Sequence, residues 1–338
     1  MKTDRMTKLA VIITCWNYER FVAKAIRSVM TQLRDDCELV VVDDGSTDAS
    51  WDVITREGVN AFRIENGGAR SACLFGLAQT SAPFILFLDA DDELLPGSIG
   101  KIVANLDEGV AKLQFPLIRI NQDGDVISGP TPKLEAFRDR HLIDSVLRTG
   151  VYTSPPTSGN VFRRDLCDLL TEVDYENWVD GVTLFAAPFF GDVVSLVEPL
   201  GRYRVHGRND SGLGRLPDPS LLRKEIDRFV HRLDHLRQIL GRFEFQRELV
   251  EADNAFFYLE RSFLLAISEG RRVSMRTVGK LINVLWRGPY PLKFKTEISF
   301  FILLTAMLPN KRARRSVAYR FDVGKRTIGG FLRAVLTT

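Results

Sequence analysis

The 338-residue sequence lacks three features, and each absence excludes a class of protein. Its four cysteines have no paired spacing, which excludes a disulfide framework or a zinc motif and is typical of a reducing compartment. Its longest apolar run, ISFFILLTAMLP, is shorter than the about 20 residues that a membrane-spanning helix needs. Its polar start, MKTDRMTK, does not fit a secretory signal peptide. These absences favour a folded cytoplasmic protein, in keeping with 45% hydrophobic and 26% charged residues.

Positive charge is concentrated near the C-terminal end. Residues 271–338 contain 15 lysines and arginines and two acids, a net charge of +13, whereas 31 cations and 41 acids give residues 1–270 a net charge of −10. The longest apolar run, at 298–309, lies inside this basic tail, which predicts a helix lying on an anionic membrane surface at the inner face of the membrane. The alternative is a buried helix of a C-terminal bundle. The tail has no recognisable nucleic-acid-binding module, so we expect no nucleic-acid partner.

Four short apolar runs predict the strands of a buried, mostly parallel sheet. They are LAVIIT (9–14), ELVVVDD (38–44), AFRIE (61–65) and FILFLD (84–89). Helical patterns separate them, with Asn17 expected to cap the first helix and Ser46 or Thr47 the second. Strands that alternate with helices predict βαβ units with right-handed crossovers. From about residue 218 onward the pattern becomes helical.

Polar side chains stand where each predicted strand ends. Thr14 ends the first strand, Asp43 and Asp44 the second, and Asp89 the fourth, while Asn66 comes just after the third. In open α/β sheets ligands bind at the carboxyl ends of the strands. The sequence therefore predicts a ligand site at this edge.

The turn DADD, which follows the fourth predicted strand, crowds several carboxylates together. Asp89 and Asp91, two residues apart on a turn, can share one divalent cation, and Mg²⁺ and Mn²⁺ prefer such oxygen ligands. An Asp-x-Asp turn taken alone is a weak signal, and by itself it favours a solvated acidic turn. Its combination with other motifs favours the metal site.

Several segments, which follow one another along the chain, together resemble a known protein family. Residues 9–106 contain AVIITCWNYERFVAKAIRSVMTQ, LVVVDDGSTDAS and ENGGARSACLFGLAQTSAPFILFLDADD, and residues 158–212 contain SGNVFRRDL, WVDGVTLFAAPFFG and PLGRYRVHGRNDS. Together they resemble the family 2 glycosyltransferases, inverting enzymes with the GT-A fold. The resemblance implies an α/β GT-A domain, a Rossmann-like mixed sheet with helices on both faces, at 1–217. Its nucleotide-binding half would be about 1–106 and its acceptor half about 107–217, with a mostly helical, basic region at 218–338.

The resemblance also implies a donor site. Thr14 and Asp44 would hold the nucleoside, and Asp89 and Asp91 would hold the ribose and a Mn²⁺ or Mg²⁺ ion on the diphosphate. For His206 it implies a place at the metal, at the phosphates or on the loop over the metal, and a structural role is the alternative. The full set that it implies for the nucleotide sugar is Thr14, Asn17, Asp44, Asn66, Gly68, Arg70 and Asp89.

For the acceptor, the resemblance assigns the catalytic base to Asp180, in NWVDG. An ordinary acid at a helix N-terminus is the alternative for Asp180, and Glu176 is its nearest competitor. Trp178 would stack on a sugar or pack in the core. Arg204 would reach phosphates or the loop over the metal.

Two positions depart from the family pattern. Thr14 stands where the family often has proline. Cys73 and Leu74 stand where it usually has Arg-Asn, so that either Arg70, one turn earlier, replaces the missing arginine or the donor is held differently.

The resemblance thus implies metal-dependent, inverting sugar transfer from a nucleotide sugar, for which a UDP-sugar is the first candidate. The acceptor would be a glycan or a lipid-linked molecule, in polysaccharide or glycoconjugate synthesis. One alternative is an inactive, binding GT-A-like protein, which the presence of the Asp-x-Asp turn and the base disfavours. Another is a nucleotidyltransferase, but TCWNYERF lacks the glycine-rich loop of that class. A Gly-x-Gly-x-x-Gly loop is also missing, which argues against a dinucleotide-dependent dehydrogenase.

Overall fold

The structure, a computed structural model, describes residues 7–175, 179–206, 218–243 and 245–321, and residues 330, 331, 333 and 335. The chain divides into two compact units. The first takes the residues up to 143 together with 152–206, and the second takes 144–151 together with the residues from 207 onward.

The described strands belong to two sheets. They are β1 (Leu9–Cys15), β2 (Cys37–Asp44), β3 (Ala61–Ile64), β4 (Phe84–Asp89), β5 (Glu93–Leu94), β6 (Val110–Gln114), β7 (Leu117–Ile120), β8 (Val126–Thr131), β9 (Phe137–Asp139), β10 (Asn160–Arg163), β11 (Asp192–Ser195) and β12 (Gly201–Arg204). The larger sheet has the order β3-β2-β1-β4-β10-β6-β11-β9, and the smaller one β5-β12-β7-β8.

The first four strands of the larger sheet are parallel, as the alternation of strands and helices predicts. Beyond them β10 runs antiparallel to both β4 and β6, which makes the sheet mixed. All four strands predicted from apolar runs are present, with ends that differ by one residue at most. Their side chains are mostly buried because helices cover both faces of the sheet.

The described helices are α1 (Val22–Met30), α2 (Ser50–Arg56), α3 (Ala69–Ala78), α4 (Ser98–Ala104), α5 (Leu142–Thr149), α6 (Arg164–Asp168), α7 (Val182–Phe190), α8 (Pro219–Arg242), α9 (Phe256–Ser268), α10 (Met275–Arg287), α11 (Leu292–Met307) and α12 (Asn310–Phe321). Val22 and Ile26 of α1 pack with Val11 of β1 on one face of the sheet. Gly76 of α3 approaches Ile12 on the other face so closely that a Cβ there would lie 2.5 Å from a methyl carbon of Ile12.

The second unit contains the helices that the sequence predicts beyond residue 218, with a core of its own. Leu222, Phe263, Leu281 and Ile302, from α8, α9, α10 and α11, share that core. Among the described residues, no helix combines the length and the hydrophobicity needed to cross a bilayer.

The predicted helix caps are wrong. Helix α1 begins at Val22, and Asn17 instead has a left-handed backbone, with φ of 61°. The Oδ1 atom of Asn17 accepts hydrogen bonds from the backbone N–H of Thr47 at 2.7 Å and of Asp48 at 3.3 Å. Helix α2 begins at Ser50, whose N–H donates to Asp48 Oδ1 at 2.9 Å. Asn17 therefore joins the loops after β1 and β2.

Candidate active site

The carboxyl ends of β1, β2 and β4 meet at one edge of the sheet. In the strand register Thr14 lies opposite both Asp89 of β4 and Val42 of β2, and Cys15 lies opposite Asp43. The structure therefore brings the strand-end residues of the sequence pattern together. The cause is the parallel pairing, which places all the carboxyl ends on the same side.

Asp44 holds the loop between β3 and α3. Its carboxylate is buried and accepts backbone N–H bonds from Gly67 at 2.8 Å and from Gly68 at 2.9 Å. The Asn66 side chain donates to the carbonyl oxygen of Asp44 at 2.9 Å. A nucleoside bound here would share a carboxylate that already orients the loop.

Gly45 permits this arrangement, and its replacement tests it. A Cβ on Gly45, where φ is +67°, would lie 2.7 Å from the backbone nitrogen of Asn66. Gly58 is a matched control, because its φ is +66° and nothing lies within 4 Å of its Cβ position. We expect Gly58→Ala to lower the free energy of unfolding by about 1–2 kcal/mol through backbone strain alone. Gly45→Ala should cost about 1–3 kcal/mol more through the clash. Urea unfolding measures both values, and equal costs would contradict the close approach.

Three carboxylates gather in the turn after β4. Asp89, Asp91 and Asp92 each offer an oxygen, and these oxygens all lie within 4.8 Å of one another. Burial, and then the charges of Asp91 and Asp89, raise the pKa of Asp92 well above its usual value. Asp92 Oδ2 is buried and has no hydrogen-bond partner among the described residues. Such a set of oxygen donors, with one buried atom unsatisfied, fits a hard divalent cation.

Arg204 stabilises this turn through hydrogen bonds. Its Nε atom donates to the carbonyl oxygen of Asp91 at 2.9 Å, its backbone N–H donates to Asp92 Oδ1 at 2.9 Å, and its guanidinium pairs with Glu93. Arg204 is fully buried. These contacts join Arg204 to the acidic turn after β4, and a contact between Arg204 and phosphates stays a prediction.

His206 orients Asp91. Its Nε2 atom lies 2.8 Å from Asp91 Oδ2. Its ring stacks on Phe21, with centroids 5.4 Å apart, and meets Tyr18 edge-on at 5.8 Å. The ring is thus held between two aromatic side chains, and Nε2 is occupied by the carboxylate. A structural role for His206 is what these contacts describe, and direct metal ligation stays a prediction.

Arg70 stands in the first turn of α3 with an unused donor. Its Nη1 atom donates to the carbonyl oxygen of Leu170 at 3.2 Å, but its Nε atom is buried without a hydrogen-bond partner among the described residues. A buried N–H without an acceptor is costly and uncommon. An anionic ligand at the start of α3 would satisfy it.

Asp180 lies two residues before α7 and is half-buried, and its charge acts on the fully buried Lys112 of β6. Its side chain makes no hydrogen bond or ion pair with another described residue, so its oxygens are available to a ligand. Burial lowers the pKa of Lys112 well below its usual value, and the charge of Asp180 opposes that shift. Trp178 and the competitor Glu176 lie outside the described residues.

Two residues that sequence reasoning missed belong to this part of the fold. Lys112 Nζ donates to Gln114 Oε1 at 2.8 Å, to Ser154 Oγ at 2.9 Å and to Tyr152 Oη at 3.1 Å. The signal was a lysine inside the apolar run VAKLQF. Ser158 Oγ accepts the backbone N–H of Asp89 at 3.1 Å, and no local pattern marked it.

The buried Lys112 predicts a pH dependence of stability. An unfolded lysine has a pKa of about 10.4. Between that value and the lowered pKa of folded Lys112, the unfolded chain binds a proton that the folded chain does not, so the free energy of unfolding rises with pH. We expect wild type to gain stability relative to Lys112→Met as the pH is raised through this window. Urea unfolding at several pH values measures the difference.

The exposed Lys24 of α1 provides the control. Lys24→Met should differ from wild type by an amount that does not change with pH, because water solvates the ammonium group of an exposed lysine in the folded chain as it does in the unfolded one. A pH-independent difference for Lys112→Met as well would contradict the burial effect.

Comparison with known proteins agrees with this arrangement. Residues 10–170 match the sequence model of Glycosyl transferase family 2. The glycosyltransferase alr2836 of Nostoc sp. is 34% identical over 60% of this chain and 66% of its own length. A GalNAc(5)-diNAcBac-PP-undecaprenol beta-1,3-glucosyltransferase of Campylobacter jejuni is 33% identical over 36% of this chain and 41% of its own length. The matches thus span less than two thirds of either relative.

Solved structures show the same fold. S. aureus TarS 1-349 in complex with UDP-GlcNAc has a TM-score of 0.52 and 19% identity, over 82% of this chain and 79% of that one. TarS 1-349 with UDP has a TM-score of 0.53 and 16% identity, over 94% and 93%. The first unit therefore has a mixed α/β fold of the GT-A type, and the chain continues with a helical C-terminal region at 219–321. Residues 10–170, just under half of the chain, thus match glycosyltransferase family 2.

Proposed function

We propose that this glycosyltransferase is metal-dependent and inverting, and that it moves a sugar from a nucleotide sugar to a hydroxyl group. The observation that carries the proposal is the cluster of Asp89, Asp91 and Asp92 at the carboxyl edge of the sheet, with one buried oxygen unsatisfied. Residues 1–217 would be the catalytic domain, and 218–338 the helical region.

The donor would lie across the strand ends. Thr14 and Asp44 would hold the nucleoside, and Asn17, Asn66 and Gly68 would shape its loops. Their present contacts support this, because Asn17 and Asp44 order the loops after β2 and β3. The unsatisfied Nε of Arg70 would donate to the diphosphate, in place of the arginine that the family usually carries three residues later, at the position of Cys73.

The cation, Mn²⁺ or Mg²⁺, would be held by Asp89, Asp91 and Asp92. When bound, it supplies Lewis-acid stabilisation of the nucleoside diphosphate that leaves. His206 fixes one oxygen of Asp91, and Arg204 fixes the backbone of the turn, so the carboxylates are positioned in advance.

Asp180 would act as the general base. Its carboxylate accepts the proton of the acceptor hydroxyl while that oxygen attacks the anomeric carbon from the side opposite the leaving diphosphate. One displacement of this kind inverts the anomeric configuration and requires no covalent enzyme intermediate. Trp178, two residues earlier, would stack on the acceptor sugar.

The acceptor would be a glycan or a lipid-linked saccharide, used in polysaccharide or glycoconjugate synthesis on the cytoplasmic side of the membrane. The Campylobacter relative is named for a lipid-linked saccharide, and that name supports an acceptor of this kind.

The test is turnover of a donor panel. Purified full-length chain with Mn²⁺ or Mg²⁺ is incubated with UDP-, GDP- and dTDP-sugars, UDP-sugars first because TarS was solved with UDP-GlcNAc. We expect release of a nucleoside diphosphate that stops when EDTA is added. NMR of the product should show an anomeric configuration opposite to that of the donor, and retention would overturn the mechanism.

A further inference from the structure

The outward side of α11 is apolar, although its inward side already belongs to a core. Ile298, Phe301 and Ile302 pack inside the helical unit. The exposed side carries what we name the outer stripe: Leu292 (66% exposed), Phe300 (56%), Leu303 (40%) and Met307 (76%). Spacings of eight, three and four residues place these side chains on one face of a helix. The described residues thus leave the stripe uncovered along most of α11, about 20 Å at the helical rise.

Exposed cations flank the stripe at both ends. Lys293 lies next to its first residue, and Lys311, Arg312 and Arg314 follow its last one in α12. None of these four forms an ion pair with another described residue. Glu297 is the one acid among residues 271–321, against twelve lysines and arginines. The segments that precede and follow the stripe in the chain are therefore strongly positive.

Trp286, at the end of α10, lies beside the stripe. Its indole Nε1 donates to Ser299 Oγ of α11 at 2.9 Å, and 46% of the residue is exposed. An indole combines a large apolar ring with one polar N–H, a combination that favours the boundary between water and lipid.

We propose that the outer stripe docks on the surface of an anionic lipid bilayer. The apolar side chains enter the acyl boundary, and the four flanking cations meet lipid phosphates. A helix with an apolar face and cations at its margins has the layout of an interfacial helix, which lies in the plane of the membrane and does not cross it. The inference stands apart from the chemistry of sugar transfer, because it concerns residues of the second unit alone.

Two other partners of the outer stripe, a second copy of the chain and nucleic acid, are disfavoured by charge and by the apolar side chains respectively. A second copy of the chain, paired through the same stripe, would bring the flanking cations of one copy near those of the other, which is unfavourable. Nucleic acid would satisfy the cations but offers no acyl layer for Leu292, Phe300, Leu303 and Met307. An anionic bilayer complements both the charge and the apolar surface.

Sedimentation of the full-length chain with lipid vesicles tests the proposal. The chain should pellet with vesicles of phosphatidylcholine and phosphatidylglycerol, but not with phosphatidylcholine alone, and high salt should release it. Phe300→Gln/Leu303→Gln/Met307→Gln should lower the partition coefficient by at least about tenfold, because three buried side chains are lost. Lys311→Gln/Arg312→Gln/Arg314→Gln should lower it and remove most of its salt dependence.

The matched control is Val126→Thr/Ile127→Thr in β8, which removes two apolar residues of 65% and 51% exposure from the first unit. It should bind vesicles as wild type does. Thermal unfolding checks that every variant is folded, and nucleoside diphosphate release with a water-soluble acceptor separates a damaged catalytic site from lost docking.

Three results would overturn the proposal. One is vesicle binding by the triple glutamine variant equal to that of wild type. Another is a wild-type dimer in sedimentation equilibrium that the same variant dissociates, without any binding to vesicles. The third is binding to RNA by a chain that does not bind anionic vesicles at low salt.

Discussion

Replacing Asp180 by asparagine is expected to lower kcat by about a thousandfold, the middle of the range for loss of a general base. Asparagine has nearly the same shape as aspartate but cannot accept the proton of the acceptor hydroxyl. Asp180 makes no hydrogen bond with another described residue, so the fold should tolerate the change. KM for the donor should stay near the wild-type value, because the donor is expected to lie at the strand ends and not at Asp180. Steady-state kinetics with varied donor and acceptor measure both constants.

The control for this substitution is Asp174→Asn, which removes an exposed carboxylate six residues earlier. It should leave kcat unchanged. If Asp180→Asn keeps more than about a tenth of the wild-type kcat, the base is another group. Glu176, the competitor in the sequence, would then be the next substitution.

The second large effect is expected for Asp91→Asn. The substitution removes one charge from the carboxylate cluster while an oxygen remains for the hydrogen bond with His206. Loss of the cation removes several kcal/mol of transition-state stabilisation, which corresponds to about two to three orders of magnitude in rate. Donor turnover measures this loss, and titration with Mn²⁺ measures binding without reference to activity.

Stability provides an independent check of the same site. A ligand that binds only the folded state raises Tm, so Mn²⁺ should raise the Tm of wild type and of the control Asp123→Asn, which lies in an exposed loop. It should not raise the Tm of Asp91→Asn. In EDTA this variant should be no less stable than wild type, since one of three mutually repelling charges is gone. Wild-type affinity for Mn²⁺ in the variant would remove Asp91 from the metal site.

The outer stripe of α11 and the active-site carboxylates lie in different units of the chain, so the two sets of experiments answer separate questions. If the triple glutamine variant of Phe300, Leu303 and Met307 loses vesicle binding but keeps normal donor turnover, α11 is a docking element. If Asp91→Asn or Asp180→Asn loses turnover but binds vesicles normally, the substituted carboxylate acts in sugar transfer and not in docking.

The sequence by itself determined the parallel half of the sheet and the edge on which the site lies. Short apolar runs specify buried strands, and parallel strands place Thr14, Asp44 and Asp89 at one edge whatever the loops do. The helical second unit was likewise predictable, since amphipathic periodicity is a local property of the chain.

Only the tertiary structure decided how the site is held together. Arg204 bonds to the carbonyl of Asp91 across 113 positions of sequence, and His206 reaches the carboxylate of Asp91 across 115. Asn17 bonds to Thr47 across 30 positions, where a local pattern had suggested a helix cap. The burial of Lys112 and of Asp92 likewise depends on which elements pack above them. Such partners are brought together by packing between distant segments, and periodicity and spacing describe only what lies near in the chain.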